Sequence, residues 1–122
     1  MVAALGGHVV KVGMGPILID LMERGVIQAL AMNGATAIHD LELAMIGETS
    51  EDVATHIADG TFGMSAETAD SFRKAAQSGA EGVGLGAALG DLIHDSGMPH
   101  PEISILSSAR RLGIPATVHV AM

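Results

Sequence analysis

Residues 26–32, VIQALAM, form a nearly unbroken apolar run with Gln28 as its one polar side chain. Such a run, lacking the polar alternation of a half-exposed strand, reads as a parallel strand covered on both faces. This constrains the chain more than any other feature, because a parallel strand needs covalent neighbours that cross over it.

The flanking sequence supplies them. Residues 2–12, VAALGGHVVKV, read as a buried strand interrupted or ended by Gly6-Gly7. GMGP then opens a helix with Pro16 at a favoured first-turn position. In that helix Ile17, Leu18, Leu21 and Met22 are expected inward, and Asp20, Glu23 and Arg24 outward, with Gly25 as a left-handed stop. After VIQALAM come NGAT and a helix from about Ala37 to Ile46. Strand, helix, strand, helix with short links predicts an α/β fold, a doubly wound parallel sheet with flanking helices.

The middle of the chain is helical and more polar. TSEDVATHIADG reads as a short helix capped by Thr49 or Ser50 and followed by Gly60, and SAETADSFRKAAQSG repeats the design from Ser65 to Gly79. A glycine-rich helix follows over about 84–95, then the loop SGMPHP, and a last helix over about 102–112 ending in RRLGIP. ATVHVAM is a third strand. Three strands fall short of the roughly 4–6 usual in a sheet. Residues 1–122 are therefore expected to be an incomplete domain, a fragment of a longer chain.

Composition narrows the function classes. The 48% apolar content supplies a core, and 16 glycines against two phenylalanines imply close backbone approach rather than aromatic filling. Without cysteine there is no disulfide or thiolate metal site, and a cytoplasmic setting is the default. The opening VAALGGHVV lacks the basic start of a signal peptide, and no apolar run reaches the roughly 18 residues of a membrane span. Fourteen acids against Lys11, Arg24, Arg73, Lys74, Arg110 and Arg111 give a net charge of −8. That balance speaks against nucleic acid, which needs a basic face. An acidic surface attracts cations such as polyamines and equally serves solubility.

Two stretches mimic a dinucleotide fingerprint. GMGPIL, 13–18, has two of the glycines and a leucine where the third belongs; GVGLGAALG, 82–90, fits G-x-G-x-x-A but follows a polar helix instead of a strand. The second is read as close helix packing by small residues. The histidines are His8, His39, His56, His94, His100 and His119, and no pair has the i,i+4 spacing of a helical metal site. His56 and His94 are read as solvated, and no metal is expected. Hydrolase triads lack an anchor, since neither a G-x-S-x-G elbow nor a cysteine nucleophile is present.

GGHVVK and NGATAIHDLE remain, each at or near the carboxyl end of a predicted strand, where open α/β sheets bind ligands. Gly7 and Gly34 permit close backbone approach, Asn33 offers an amide, and a helix N-terminus favours anions. Lys11, alone among valines, should be paired, snorkelling or bound to phosphate. On the second helix Ala37, Ile38, Leu41, Ala44 and Met45 share one face, with His39, Glu42, Leu43 and Ile46 on the other. His39, Asp40 and Glu42 are either ordinary capping with an i,i+3 His–Glu pair or a functional cluster. Chemistry alone leaves both open.

GGHVVKVGMGPILIDLMERGVIQALAMNGATAIHDLELAMIGETSEDV, then DGTFGMSAET and LGIPATVHVAM, together resemble the amino-terminal half of the deoxyhypusine synthase-like family. The resemblance implies a Rossmann-like fold, NAD as cofactor, a homo-oligomer and transfer of an aminobutyl group from a small-molecule amine. It implies that Gly7, His8, Val9, Val10 and Lys11 form one cofactor-contacting segment and Asn33, Gly34 and Ala35 a second. Ile38 and His39 fall where founding members carry adjacent glutamates that contact spermidine and cofactor, and Asp40 falls on an acidic position. The resemblance thus implies Ile38, His39 and Asp40 on the substrate side, with His39 also at the cofactor. The lysine that forms the family's covalent imine is expected beyond Met122. A second resemblance, over less of the chain, is to the NAD-binding domain of ornithine cyclodeaminases, which also carry an asparagine, a glycine and a His-Asp pair. A third reading is a non-catalytic cofactor-binding or assembly subunit.

Overall fold

The computed structural model describes residues 1–49 and 66–120. The expected helix within TSEDVATHIADG, the solvated reading of His56 and the last two residues of ATVHVAM lie outside the described residues. Three strands, β1 (Val2–Leu5), β2 (Ala29–Asn33) and β3 (Ala116–His119), form one parallel sheet in the order β1-β2-β3. VIQALAM thus supplies the central strand, shifted so that Val26 to Gln28 lead into it and Asn33 ends it.

The order of the strands dictates where the helices go. Both crossovers step in the same direction, and right-handed crossovers that do so place their helices on one face. The register puts Ala3, Leu30 and Ala116 abreast, then Leu5, Met32 and Val118, all facing the core. Val2, Ala4, Thr117 and His119 point the other way and are exposed. The doubly wound arrangement, with β2 covered on both faces, is therefore not what the described residues form. They make a singly wound βαβαβ unit, because its sheet never reverses direction.

Helices α1 (Gly7–Lys11) and α2 (Gly15–Glu23) join β1 to β2. The expectation of strand through residue 12 fails here: β1 ends at Leu5, and Gly6, in extended backbone, serves as the N-cap of α1. GMGP accordingly lies between two helices instead of after a strand, so its likeness to the fingerprint loses its context. Helix α2 buries Gly15, Leu18, Ile19 and Met22, the stripe that a 3.6-residue period makes from Gly15 onward. Ile17, expected inward, falls opposite that stripe and is 52% exposed. Gly25 ends the segment at φ 73°, as expected.

Helix α3 (Gly34–Ile46) starts three residues earlier than its apolar pattern, because Asn33 caps it. Then come α4 (Ala66–Ala80), α5 (Leu85–Asp95), a 3-10 turn (Pro101–Ile103) and α6 (Ile105–Leu112), close to the expected positions. Gly86 and Gly90 of α5 bear out the reading of GVGLGAALG as close packing. A Cβ at Gly86 would overlap the Ala116 carbonyl oxygen of β3, and one at Gly90 would lie 2.7 Å from the Leu106 carbonyl oxygen of α6. The core beneath the sheet is aliphatic, with Ile27, Leu30, Met32, Leu41, Leu89, Ile93, Ile105 and Leu106 at most 2% exposed.

Candidate functional site

The carboxyl ends of the three parallel strands lie side by side and feed Gly6-Gly7, Asn33-Gly34 and Val120. Thr36, fully buried, ties the first two together. Its Oγ1 lies 3.0 Å from the Leu5 carbonyl oxygen and 2.7 Å from Asn33 Oδ1, and its N–H donates to Asn33 Oδ1 at 2.9 Å. One threonine thus fixes both the exit of β1 and the cap of α3. Sequence reasoning passed over it; the signal was its place three residues after a capping asparagine.

The glycines here admit protein neighbours. A Cβ on Gly7 would stand 3.2 Å from Ala35 Cβ and 3.3 Å from His39 Cδ2, and one on Gly34 would stand 3.1 Å from Val120 Cγ1. Their smallness lets the loops of adjacent strands close against each other and brings His39 beside the start of α1. His39 Nδ1 is 3.0 Å from Glu42 Oε2, with only 16% and 6% of the two side chains accessible. The i,i+3 pair anticipated from sequence is formed, and it is shielded.

Asp40 sits one residue along and behaves differently. It is fully buried, its Oδ1 accepts from the Ile105 N–H at 2.7 Å, and its Oδ2 accepts from the Leu106 N–H at 2.9 Å and Ser104 Oγ at 2.7 Å. Ser104 Oγ in turn accepts from the Ser107 N–H at 3.0 Å, and its carbonyl from the Ser108 N–H at 3.1 Å. All four amides that open α6 are therefore satisfied. Burial raises the Asp40 pKa above its ordinary value, opposed by the hydrogen bonds from Leu106, Ile105 and Ser104. Asp40 is a cap for another helix, and this geometry gives it no path to a ligand.

The other expected residues divide in two. Asn33 and Ala35 are exposed at the strand ends, as is His8 on α1, whereas Gly34, Ile38 and Val9 are partly buried. Val10 belongs to the core at 2% exposure. Lys11 lines a cavity of about 410 Å³ with Val10, Gly13, Gly15, Pro16, Leu43, Glu48, Thr49 and Ile103, none of them a strand-end residue. The structure thus brings Gly7, Asn33, Gly34, Ala35 and His39 together and seats Lys11 in a separate cavity.

Electrostatically, the strand ends stand out in so acidic a chain. Leu5 to His8, Asn33 to Ala35 and His119-Val120 include no carboxylate. The first turn of the thirteen-residue α3 opens there, and a helix N-terminus favours an anion such as a pyrophosphate. This is the chemistry that an anionic group such as a phosphate requires. Asn33 Oδ1 is engaged in its cap of α3 and is not free to orient a ligand. Among the described residues no three His, Asp or Glu gather to hold a metal ion, and no helix is long and apolar enough to cross a membrane.

Fold and site together define an α/β protein whose parallel βαβαβ unit gathers a carboxylate-free set of loops at its strand ends. The chain matches no protein-family model and no curated protein.

Proposed function

We propose that this chain is the Rossmann-like, NAD-binding part of a deoxyhypusine synthase-like transferase that oxidises a small-molecule amine. The observation that carries the reading is the meeting of Gly7, Asn33-Gly34 and His39 at the carboxyl ends of adjacent parallel strands. The two segments that the family resemblance assigns to cofactor are neighbours in space, where ligands of open α/β sheets bind. The βαβαβ unit has the composition of one mononucleotide-binding half of such a fold.

In this reading Gly7, His8, Asn33, Gly34 and Ala35 hold NAD, with the first turn of α3 towards the pyrophosphate. When bound, NAD supplies the acceptor for a hydride from the amine's carbon. Ile38 and His39 line the reacting end, and Ile38 in place of a carboxylate makes that end less cationic-selective. The open sheet face is consistent with assembly of copies into a homo-oligomer.

Isothermal titration calorimetry of the complete protein with NAD tests the cofactor, and consumption of spermidine, putrescine or ornithine by the complete protein, with analysis of the products, tests the substrate. His39→Ala is expected to lower turnover by roughly a hundredfold or more, the scale of a general acid–base group. Absence of NAD binding, together with an inert His39→Ala substitution, would remove the reading. Activity on ornithine alone would transfer it to the cyclodeaminase-like alternative.

A further inference from the structure

We propose that Glu42 is the positioning residue of the site, fixing the tautomer of His39 so that Nε2 is the atom that receives the substrate's proton. The proposal rests on the amine-oxidising reading above, but the geometry behind it is independent of any resemblance. An imidazole has two nitrogens, and in the neutral ring the one engaged by a neighbour decides the role of the other. A carboxylate is an acceptor only. With Glu42 Oε2 at 3.0 Å, His39 Nδ1 therefore carries the hydrogen and Nε2 carries the lone pair.

The ring's direction makes that lone pair useful. Cδ2, the carbon bonded to Nε2, is the ring atom that approaches Gly7. The Cδ2 side of the ring thus lies by the start of α1 at the carboxyl end of β1, while Nδ1 turns along α3 towards Glu42. Burial strengthens the arrangement. Glu42 is 5% exposed, and a carboxylate is rarely placed so deep in a helix without a partner that uses it. Shielding from water and salt also keeps the pair's geometry from being traded for hydration.

The chemistry suits a primary or secondary alkylammonium. Nε2 takes one N–H proton from R–CH2–NH3⁺, leaving the neutral amine and an imidazolium that Glu42 stabilises. When bound, NAD would supply the acceptor for the two electrons and the hydrogen that leave the CH2 carbon as the neutral amine becomes an iminium. Without Glu42 the ring would distribute its proton over both nitrogens and part of the population would offer Nε2–H, which cannot accept.

The experiment is ¹⁵N–¹H correlation NMR of the His39 ring at a pH where it is neutral, on the wild-type chain, Glu42→Met and Glu42→Gln. Nδ1–H is expected in the wild type, loss of that preference in Glu42→Met, and its recovery in Glu42→Gln, whose amide oxygen again accepts. In the turnover assay Glu42→Met should lower kcat about tenfold or more with KM little changed. An Nε2–H wild-type ring overturns the proposal, as does an Nδ1–H preference that survives in a folded Glu42→Met. Should Glu42→Met fail to fold, the wild-type ring decides alone. The two readings fail separately: no turnover of any amine ends the proposed reaction, whereas the NMR result judges Glu42 whatever the turnover assay gives.

Discussion

Asp40 is the residue whose role changed most between pattern and structure. An acid near the start of a helix ordinarily serves that helix or a ligand, yet Asp40 opens α6, with partners 64 to 66 positions away. No spacing rule reveals such a partner, whereas the His39–Glu42 pair was legible because both groups sit on one helix three residues apart. Removing the carboxylate in Asp40→Ala leaves two buried N–H groups and a serine hydroxyl without their acceptor. A loss of roughly 2–4 kcal/mol of stability is expected. The pH dependence follows from the raised pKa. Between the ordinary value of 3.8 and the folded value, the native state holds a proton that the unfolded chain has released. Asp40's contribution is therefore full below 3.8 and declines as pH rises through the folded value. Urea unfolding of wild type and Asp40→Ala across the acidic to neutral range should show their stability gap narrowing as pH rises. A widening gap would mean that the hydrogen bonds outweigh burial in setting the proton affinity.

At the scale of elements, the sequence was readable wherever one local signal dominates. Gly25 and Gly113 mark left-handed stops at φ 73° and 70°, Pro16 sits in the first turn of α2, and Arg110 and Arg111 close α6. GHVVK has the composition of a strand, but its helical turn follows from Gly6 and from packing of Gly7 on α3. The glycines of α5 were read correctly for want of a strand before them, and they carry a sharp prediction. Gly86 faces the backbone of β3, an obstacle that cannot rotate away as a side chain could. Gly86→Ala should push α5 off the sheet and cost about 1–3 kcal/mol, the usual scale of overpacking. Gly84 has nothing within 4 Å of where its Cβ would stand, so Gly84→Ala meets no obstacle and should cost no more than about 1 kcal/mol, the scale of a poorer N-cap for α5. Denaturation midpoints of the two variants, compared at unchanged slope, measure the difference. Equal effects would show that α5 is not seated as closely as the distances say.

For the molecule as a whole, an apolar central strand implies cover on both faces, yet β2 carries helices on one face only. Ala29 and Ala31 are apolar in composition but small, and hydropathy does not distinguish a small residue on an open face from one under a helix. What decides the matter is strand order, which emerges only from tertiary pairing: β1-β2-β3 without reversal sends both crossovers to the same side. Adjacent residues of β2 offer a direct test. Leu30, 2% exposed, lies on the helix side, while Ala31 pairs with Ala4 and Thr117 on the open side. Leu30→Ala removes core contacts and should cost about 2–5 kcal/mol. Ala31→Thr adds a β-branched side chain on a face with room for it and should stay within about 1 kcal/mol of wild type, with either sign. Under a doubly wound architecture the added atoms would instead meet a second helical layer, and Ala31→Thr would be destabilising on the scale of overpacking. Chemical denaturation of the two variants at low protein concentration separates these outcomes. Repeating Ala31→Thr at high concentration extends the test to assembly. A variant that is neutral when dilute yet shifts the sedimentation of the concentrated chain places the open face of β2 in contact with another copy.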